Sequence, residues 1–153
     1  MIDSLSDILD ASCISTRLKE KRKPDVIREL VEILQLAGKI EDADAVTAKV
    51  LERESLTTTG IGGGIAIPHG MSADTPEMVM AFGRHPKGVK FDAVDRKPVK
   101  LFFLIVGPEG ARNEQLRILS KISRYLHDPN FKNGLLRAES PEEVVQLFAE
   151  REG

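Results

Sequence analysis

Apolar residues recur at helical spacing in five parts of the chain, and this pattern predicts five helices. The predicted helices begin near Pro24, Ala43, Asn113, Asp128 and Ser140. Proline is common in the first turn of a helix, and asparagine, aspartate and serine are common N-caps. At four of the five positions the residue type therefore agrees with a helix start.

The third predicted helix carries polar residues at both ends. Gln115 lies in its first turn. His127 lies at or just past its C-terminal end, where a histidine can interact with the last carbonyls, and we interpret it as structural. The predicted apolar stripe of this helix consists of Leu116, Leu119, Ile122, Tyr125 and Leu126.

Short apolar runs between the helices predict strands at residues 13–16, 78–82 and 99–106. The run at 99–106 is the most apolar, so we expect it at the centre of a sheet. Residues 89–97 are predicted to form a loop. Because helices and strands are interspersed and the strands are too few for a barrel, the pattern predicts a layered α/β domain.

Composition narrows the class of protein. A length of 153 residues favours one domain over residues 1–153, and the net charge of −2 argues against a nucleic-acid partner. Cys13 is the only cysteine, so no internal disulfide can form. No apolar run approaches the roughly 20 residues needed to span a bilayer, and residues 1–4 lack signal-peptide features. We therefore expect a cytoplasmic protein without direct membrane insertion.

Residues 57–70, here called the glycine–histidine run, hold five of the 12 glycines and end in Pro68-His69-Gly70. Glycine lets the backbone adopt positive φ and approach other groups closely. Pro68 fixes its own φ and favours an extended Ile67, so His69 is presented from a stiff peptide. A stiffly held imidazole near free backbone N–H groups suits a reaction at nitrogen that involves an anion.

Simpler interpretations of this run stay open at this point. Glycine clusters are usually turns, and a lone histidine is more often structural than catalytic. A phosphate-binding P-loop is not expected, because no Lys-Ser or Lys-Thr follows the glycines. A metal site is not expected, since His85 has no metal-ligand spacing to His69 or His127.

Two stretches carry a family resemblance: Arg53-Glu54-Ser55-Leu56, and the glycine–histidine run from Thr59 to Gly70. Together they resemble the active-site signature of the enzyme IIA (EIIA) domains of the bacterial phosphotransferase system. The resemblance is to the fructose/mannitol type, and within it to the nitrogen-regulatory proteins, and it spans roughly residues 5–148. It implies an α/β domain with a mixed sheet of about five strands flanked by helices on both faces, and no cofactor.

The resemblance also implies roles for individual residues. His69 would accept a phosphoryl group from a phosphohistidine on the small carrier HPr, or on its nitrogen-branch paralogue NPr. Arg53 would lie beside His69 and stabilise the phosphoryl charge, although its position in a last helical turn also fits a simple dipole role. Further hydrogen bonds to the phosphoryl oxygens are expected from the Thr59 hydroxyl and from backbone N–H groups of Gly60, Gly62 and Gly64.

One position departs from the family pattern. The family usually has a second histidine in a His-Leu-x-x-Leu sequence, where this chain has Gln115-Leu116-Arg117-Ile118-Leu119. Gln115 can donate a hydrogen bond but cannot accept or carry a proton. We therefore expect phosphorylation to persist with an altered transfer rate or phosphoryl lifetime.

Three functions stay open from the sequence. The protein is a regulatory phosphocarrier that controls target proteins, a sugar-uptake EIIA that passes its phosphoryl group to a separate EIIB, or a binding module without phosphotransfer. In the first two cases it is a component of a phosphotransferase relay rather than a stand-alone enzyme.

Overall fold

Six strands and five helices are present in the computed structural model, which describes residues 4–153. The strands are β1 (Ile14–Ser15), β2 (Gly60–Gly62), β3 (Ile65–Ala66), β4 (His69–Ser72), β5 (Val79–Val89) and β6 (Val99–Pro108). The helices are α1 (Lys23–Leu36), α2 (Ala43–Leu56), α3 (Arg112–Leu126), α4 (Pro129–Arg137) and α5 (Pro141–Glu152). Short 3-10 turns occupy Leu5–Asp7 and Ala11–Cys13. Residues 1–3, which contribute to the signal-peptide expectation, lie outside this range.

The central strand β6 divides the core into two layers. Alternate side chains point to opposite faces of a strand. Leu101, Phe103 and Ile105 pack with α3, α4 and α5 on one face of the sheet. On the other face, the intervening residues pack with α1 and α2: Phe102, Leu104 and Val106. The predicted α/β class, with helices on both faces, is confirmed, with six strands where about five were expected.

The sheet is mixed and runs in the order β1-β5-β6-β3-β2. β5 is antiparallel to β6, whereas β3 and β4 both run parallel to β6, one beyond the other. Pro68, which separates β3 from β4, has no N–H to give to the ladder, but its carbonyl accepts from Ile105 N at 3.1 Å. β4 pairs only with β6 in the described sheet, so His69 opens an edge strand.

Two details of α3 differ from the sequence prediction. Asn113 is not the N-cap, because the helix begins at Arg112 with Ala111 as N-cap. A hydrogen bond from Ala111 N to Pro108 O, at 3.1 Å, forms a turn directly after β6, and α3 begins immediately after this turn. Leu116, predicted in the apolar stripe, is 52% exposed. The other four predicted stripe residues do face the core: Ile122 and Leu126 are buried, and Leu119 and Tyr125 are partly buried against it. Gln115 and Ile118 are also buried on this face.

His85, near the end of β5, is a buried structural residue. Its Nδ1 accepts from the backbone N–H groups of Lys87 and Gly88, at 3.2 and 3.1 Å. The other ring nitrogen, Nε2, therefore carries the proton and donates to Glu20 O at 2.9 Å. Both nitrogens are occupied, which leaves none free for chemistry.

The Glu152 carboxylate ties the end of α5 to the N-terminal turn. It accepts from Leu5 N at 2.8 Å and Ser6 N at 2.9 Å, from the Ser4 and Ser6 hydroxyls, and from the Tyr125 hydroxyl at 2.8 Å. Partial burial opposes ionisation, but the hydroxyl and N–H donors outweigh it and lower the pKa of Glu152 to about 2.

No helix within residues 4–153 combines the length and the apolar character needed to cross a bilayer.

We predict that Glu152→Gln destabilises the protein in a pH-dependent way. Because the folded state depresses the pKa of Glu152 from 4.5 to about 2, its contribution is complete above about pH 4.5 and disappears as the pH falls towards 2. Urea unfolding at pH 7 should show a loss of about 1 kcal/mol, after allowance for partial exposure. The loss should shrink between pH 4.5 and pH 2.

Glu150→Gln is the matched control, since Glu150 is an exposed carboxylate on the same helix. If the two variants lose equal stability at pH 7, or if the Glu152→Gln deficit does not depend on pH, the Glu152 clamp is not the source of the effect.

Candidate functional site

His69 lies half-buried at the start of β4 and lines a cavity of about 470 Å3. The cavity is bounded by α2, β4 and the first turns of α3. Its remaining lining residues are Lys49, Glu52, Arg53, Leu56, Gly70, Met71, Arg112, Gln115 and Leu116. Three of the seven residues singled out from the sequence, His69, Arg53 and Gln115, are therefore brought together.

A hydrogen bond to the backbone sets the tautomer of His69. The ring Nδ1 lies 2.9 Å from Ile67 O. A carbonyl oxygen only accepts, so Nδ1 must carry the proton. The Ile67 peptide is itself held, because its N–H donates to Thr59 O at 3.0 Å. In the neutral ring, Nε2 is then the nitrogen with a free lone pair, which makes it the nucleophilic atom.

The surroundings keep this imidazole neutral. Burial lowers the pKa of His69 below 6.5, and the positive charge of Arg53 lowers it further. The hydrogen bond to Ile67 and the negative charge of Glu54 act in the opposite direction without reversing the shift. At neutral pH the ring is therefore predominantly unprotonated at Nε2, as a nucleophile must be.

Arg53 reaches the cavity because α2 lies directly against β4. A Cβ atom on Gly70 would stand 3.1 Å from Val50 Cγ2 and 3.3 Å from Val50 N, so a side chain here would crowd α2 and glycine permits the close approach. Arg53 follows Val50 by about one helical turn. Its Nη1 donates to Thr57 O at 3.2 Å, which holds the guanidinium at the C-terminal end of α2.

Glu54, the next residue, is buried and organises the backbone behind the site. Its carboxylate accepts from Thr59 N at 2.7 Å and Thr59 Oγ1 at 2.6 Å, and it pairs with Lys23 Nζ at 3.0 Å. Lys23 also donates to Phe91 O at 3.1 Å. These contacts join α1, α2 and the start of the glycine–histidine run. The sequence signal was an acidic residue five positions before a threonine, which is too common to interpret alone.

The other four predicted binding residues do not line the cavity. Thr59 is buried, and its hydroxyl hydrogen is already donated to Glu54. Gly60 opens β2, where a Cβ would meet Ala93 at 2.8 Å. Gly62, with a φ of 97°, ends β2, and Gly64, with a φ of 80°, lies in the turn between β2 and β3. Their hydrogen bonds to a phosphoryl group stay a prediction, whereas their visible role is to turn the chain.

Gln115 links α3 to β4 through a hydrogen bond. It is 5% exposed, and its Nε2 donates to Gly70 O at 3.0 Å. This bond holds the residue that follows His69. One of the two amide hydrogens is therefore committed to the backbone, and the side chain supplies no charge to the cavity.

Four lining residues were not predicted to belong to the site. Lys49 and Arg112 add two cations to that of Arg53, against one carboxylate from Glu52, so the cavity is positively charged. Leu56 and Leu116 are 78% and 52% exposed on its rim. The sequence signal for these two leucines is an apolar side chain in a polar end of a helix. It indicates a site only once α2 and α3 are known to meet at β4.

Within residues 4–153, no group of His, Cys, Asp and Glu could hold a metal ion.

Comparison with known proteins confirms the resemblance seen in the sequence. Residues 7–151 match the family described as "Phosphoenolpyruvate-dependent sugar phosphotransferase system, EIIA 2". The chain is 38% identical over 144 residues to the fructose-specific EIIABC component of Bacillus subtilis, which covers 94% of this chain and 23% of that longer protein. It is 37% identical over 149 residues to the fructose-specific EIIA component of Haloferax volcanii, with 97% of both chains covered.

Solved structures with sequence identities of 33% and 26% to this chain share its fold. Nitrogen regulatory protein IIA-Ntr from Neisseria meningitidis superimposes with a TM-score of 0.88 at 33% identity, over 94% of this chain and 98% of that one. The complex of enzyme IIAMtl with phosphorylated enzyme IIBMtl from Escherichia coli matches with a TM-score of 0.78 at 26% identity, over 94% and 98%. The similar proteins thus include both sugar-transport and nitrogen-regulatory members.

We predict that Arg53→Gln raises the pKa of His69. The cation disfavours a second positive charge on the imidazole, so its removal makes protonation easier. The measurement is an NMR titration of the His69 ring in both proteins. Arg124→Gln, which removes an exposed cation from the far end of α3, should leave the titration unchanged. A pKa that stays constant or falls in Arg53→Gln would contradict the proposed electrostatic contact.

Proposed function

Because the chain belongs to the EIIA type 2 family of the phosphoenolpyruvate-dependent sugar phosphotransferase system, we propose that it carries its phosphoryl group on Nε2 of His69. The observation that supports this assignment most strongly is the bond from His69 Nδ1 to Ile67 O. It leaves Nε2 as the free nitrogen, in a cavity whose net charge attracts an anion.

Transfer on this geometry needs no proton movement at the acceptor. The Nε2 lone pair attacks the phosphorus of a phosphohistidine on an HPr-like or NPr-like carrier. The P–N bond of the donor breaks, and its electron pair returns to the donor imidazole. The His69 ring keeps its Nδ1 proton, and the positive charge that develops on it is stabilised by Ile67 O.

Electrostatic stabilisation is the main contribution required from the protein in phosphoryl transfer. A phosphoryl group brings about −1.5 to −2 charges at neutral pH if it ionises like phosphoserine. Arg53 offers a planar guanidinium that matches phosphoryl oxygens. The second histidine of the family is replaced by Gln115, so the proposed transfer proceeds without a second imidazole at that position, at an altered rate or phosphoryl lifetime.

Docking of the carrier is assigned to the rim of the cavity. Leu56 and Leu116 are exposed apolar side chains at the ends of two different helices, next to the nucleophile. Exposed apolar groups beside a reactive atom are typical of protein-binding surfaces. A partner that covers them would also exclude water from the transferring group, which limits hydrolysis.

A regulatory role is our preferred assignment for the phosphorylated protein, and the agreement with a nitrogen regulatory IIA structure at a TM-score of 0.88 supports it. The charge change at His69 would control the binding of target proteins. The second candidate is a fructose-type uptake EIIA, favoured by 37% identity over nearly all of the Haloferax volcanii component. In both cases we place the protein in the cytoplasm.

We predict that incubation with phosphoenolpyruvate, enzyme I and HPr or NPr adds one acid-labile phosphoryl group, detected by intact mass. His69→Ala should abolish the gain, because it removes the acceptor nitrogen. His127→Ala should retain it, since His127 is an exposed residue at the end of α3. Circular dichroism of both variants establishes that they are folded.

Two results would oppose this function. Phosphorylation that survives in folded His69→Ala would place the acceptor elsewhere, and a wild-type protein that no carrier phosphorylates would favour a binding module. Transfer from the phosphorylated protein to a fructose-type EIIB would support the uptake role over the regulatory one.

A further inference from the structure

Arg112 lies at the cavity without an assigned purpose. It is the first residue of α3, it is exposed, and it lines the cavity that contains His69. Within residues 4–153, no hydrogen bond or ion pair engages its guanidinium. Arg53, by contrast, is tethered to Thr57 O. The cavity therefore contains one guanidinium held by the backbone and one whose donors are unused.

The position of Arg112 is unfavourable for the helix that carries it. The N-terminus of a helix has a partial positive charge, so a cation in the first turn is repelled. Ala111, the N-cap, makes no side-chain capping bond that would compensate. The helix dipole therefore does not favour an arginine at this position.

Among the described residues that line the cavity from α3, Arg112 has the only cationic side chain. The lining residues from α3 are Arg112, Gln115 and Leu116. Arg112 and Gln115 are three residues apart, so they share a face of the helix. Gln115 is neutral and its amide donates to Gly70 O. An anion on His69 would thus have Arg53 on the α2 side, and on the α3 side the full charge of Arg112 beside the partial charge of the helix N-terminus.

We propose that Arg112 is a second phosphoryl-binding residue, which donates guanidinium hydrogen bonds to the group carried on His69 from the side opposite Arg53. The inference rests on the proposed function. Two planar forks contacting one phosphoryl group stabilise more of its charge than one fork does, and they fix its orientation for transfer. In this chain, an arginine at the start of α3 supplies charge near a position where a neutral glutamine replaces an ionisable side chain.

The test compares wild type with Arg112→Gln, Arg112→Lys and Arg124→Gln. Arg124→Gln is the matched control, because it removes one exposed arginine from the same helix, about 18 Å along its axis at 1.5 Å per residue. Each protein is phosphorylated with the small donor phosphoramidate and, separately, by the HPr relay. Phosphoramidate needs no docking surface, so it reports on the site itself.

Arg112→Gln should react with phosphoramidate about threefold to tenfold more slowly, the range expected for one partly exposed charge-assisted hydrogen bond. A 31P NMR titration should show the second pKa of its phosphoryl group raised, because a cation that stabilises the dianion has been lost. Arg112→Lys should restore part of both effects, and Arg124→Gln should match wild type. Urea unfolding should show no loss of stability in Arg112→Gln, since the helix dipole disfavours the native arginine.

Three outcomes would overturn the inference. If Arg112→Gln matches Arg124→Gln in both the phosphoramidate rate and the 31P titration, Arg112 does not contact the phosphoryl group. If only the HPr-dependent rate falls, Arg112 guides the carrier to the site and does not bind the transferred group. If wild type accepts a phosphoryl group from neither donor, the proposed function fails and this inference fails with it.

Discussion

The hydrogen bond between His69 Nδ1 and Ile67 O is the interaction on which the rest of the site depends. It joins a side chain to the backbone two residues earlier, across Pro68, whose fixed φ limits how that backbone can move. It determines which nitrogen holds the proton, and therefore which nitrogen can react. Without it, the neutral ring could place its proton on either nitrogen, and the cations nearby would surround a nucleophile with no defined direction.

The second constraint is the close approach of α2 and α3 to β4. Gly70 leaves room for Val50, which brings the last turn of α2 to the cavity, and its carbonyl accepts from Gln115 on α3. Gly70, the residue after the nucleophile, thus contacts both helices. Since β4 is an edge strand beside β6, the ring is supported from behind by the sheet while one side faces the cavity.

Local signals predicted much of this arrangement. The continuous apolar run of β6, the stiff Pro68-His69 peptide and the cation at the end of α2 are all readable over a few neighbouring residues. The features that the sequence did not predict depend on contacts between residues that are distant in the chain or on the placement of whole helices. The helical spacing puts Leu116 in an apolar stripe, but in the fold its side chain is exposed to solvent at the cavity rim. The sequence suggests that the Thr59 hydroxyl can bind an anion, but in the fold this hydroxyl donates its hydrogen bond to Glu54.

The central claim is that unphosphorylated His69 presents Nε2 as its free nitrogen. The most direct measurement is the 15N NMR spectrum of the His69 ring in the wild-type protein, above the pKa of this residue. The account predicts that the proton resides on Nδ1 and that Nε2 has the chemical shift of an unprotonated ring nitrogen. A predominant Nε2–H tautomer would contradict the account, because the Ile67 carbonyl would then have no donor and Nε2 no lone pair for phosphorus.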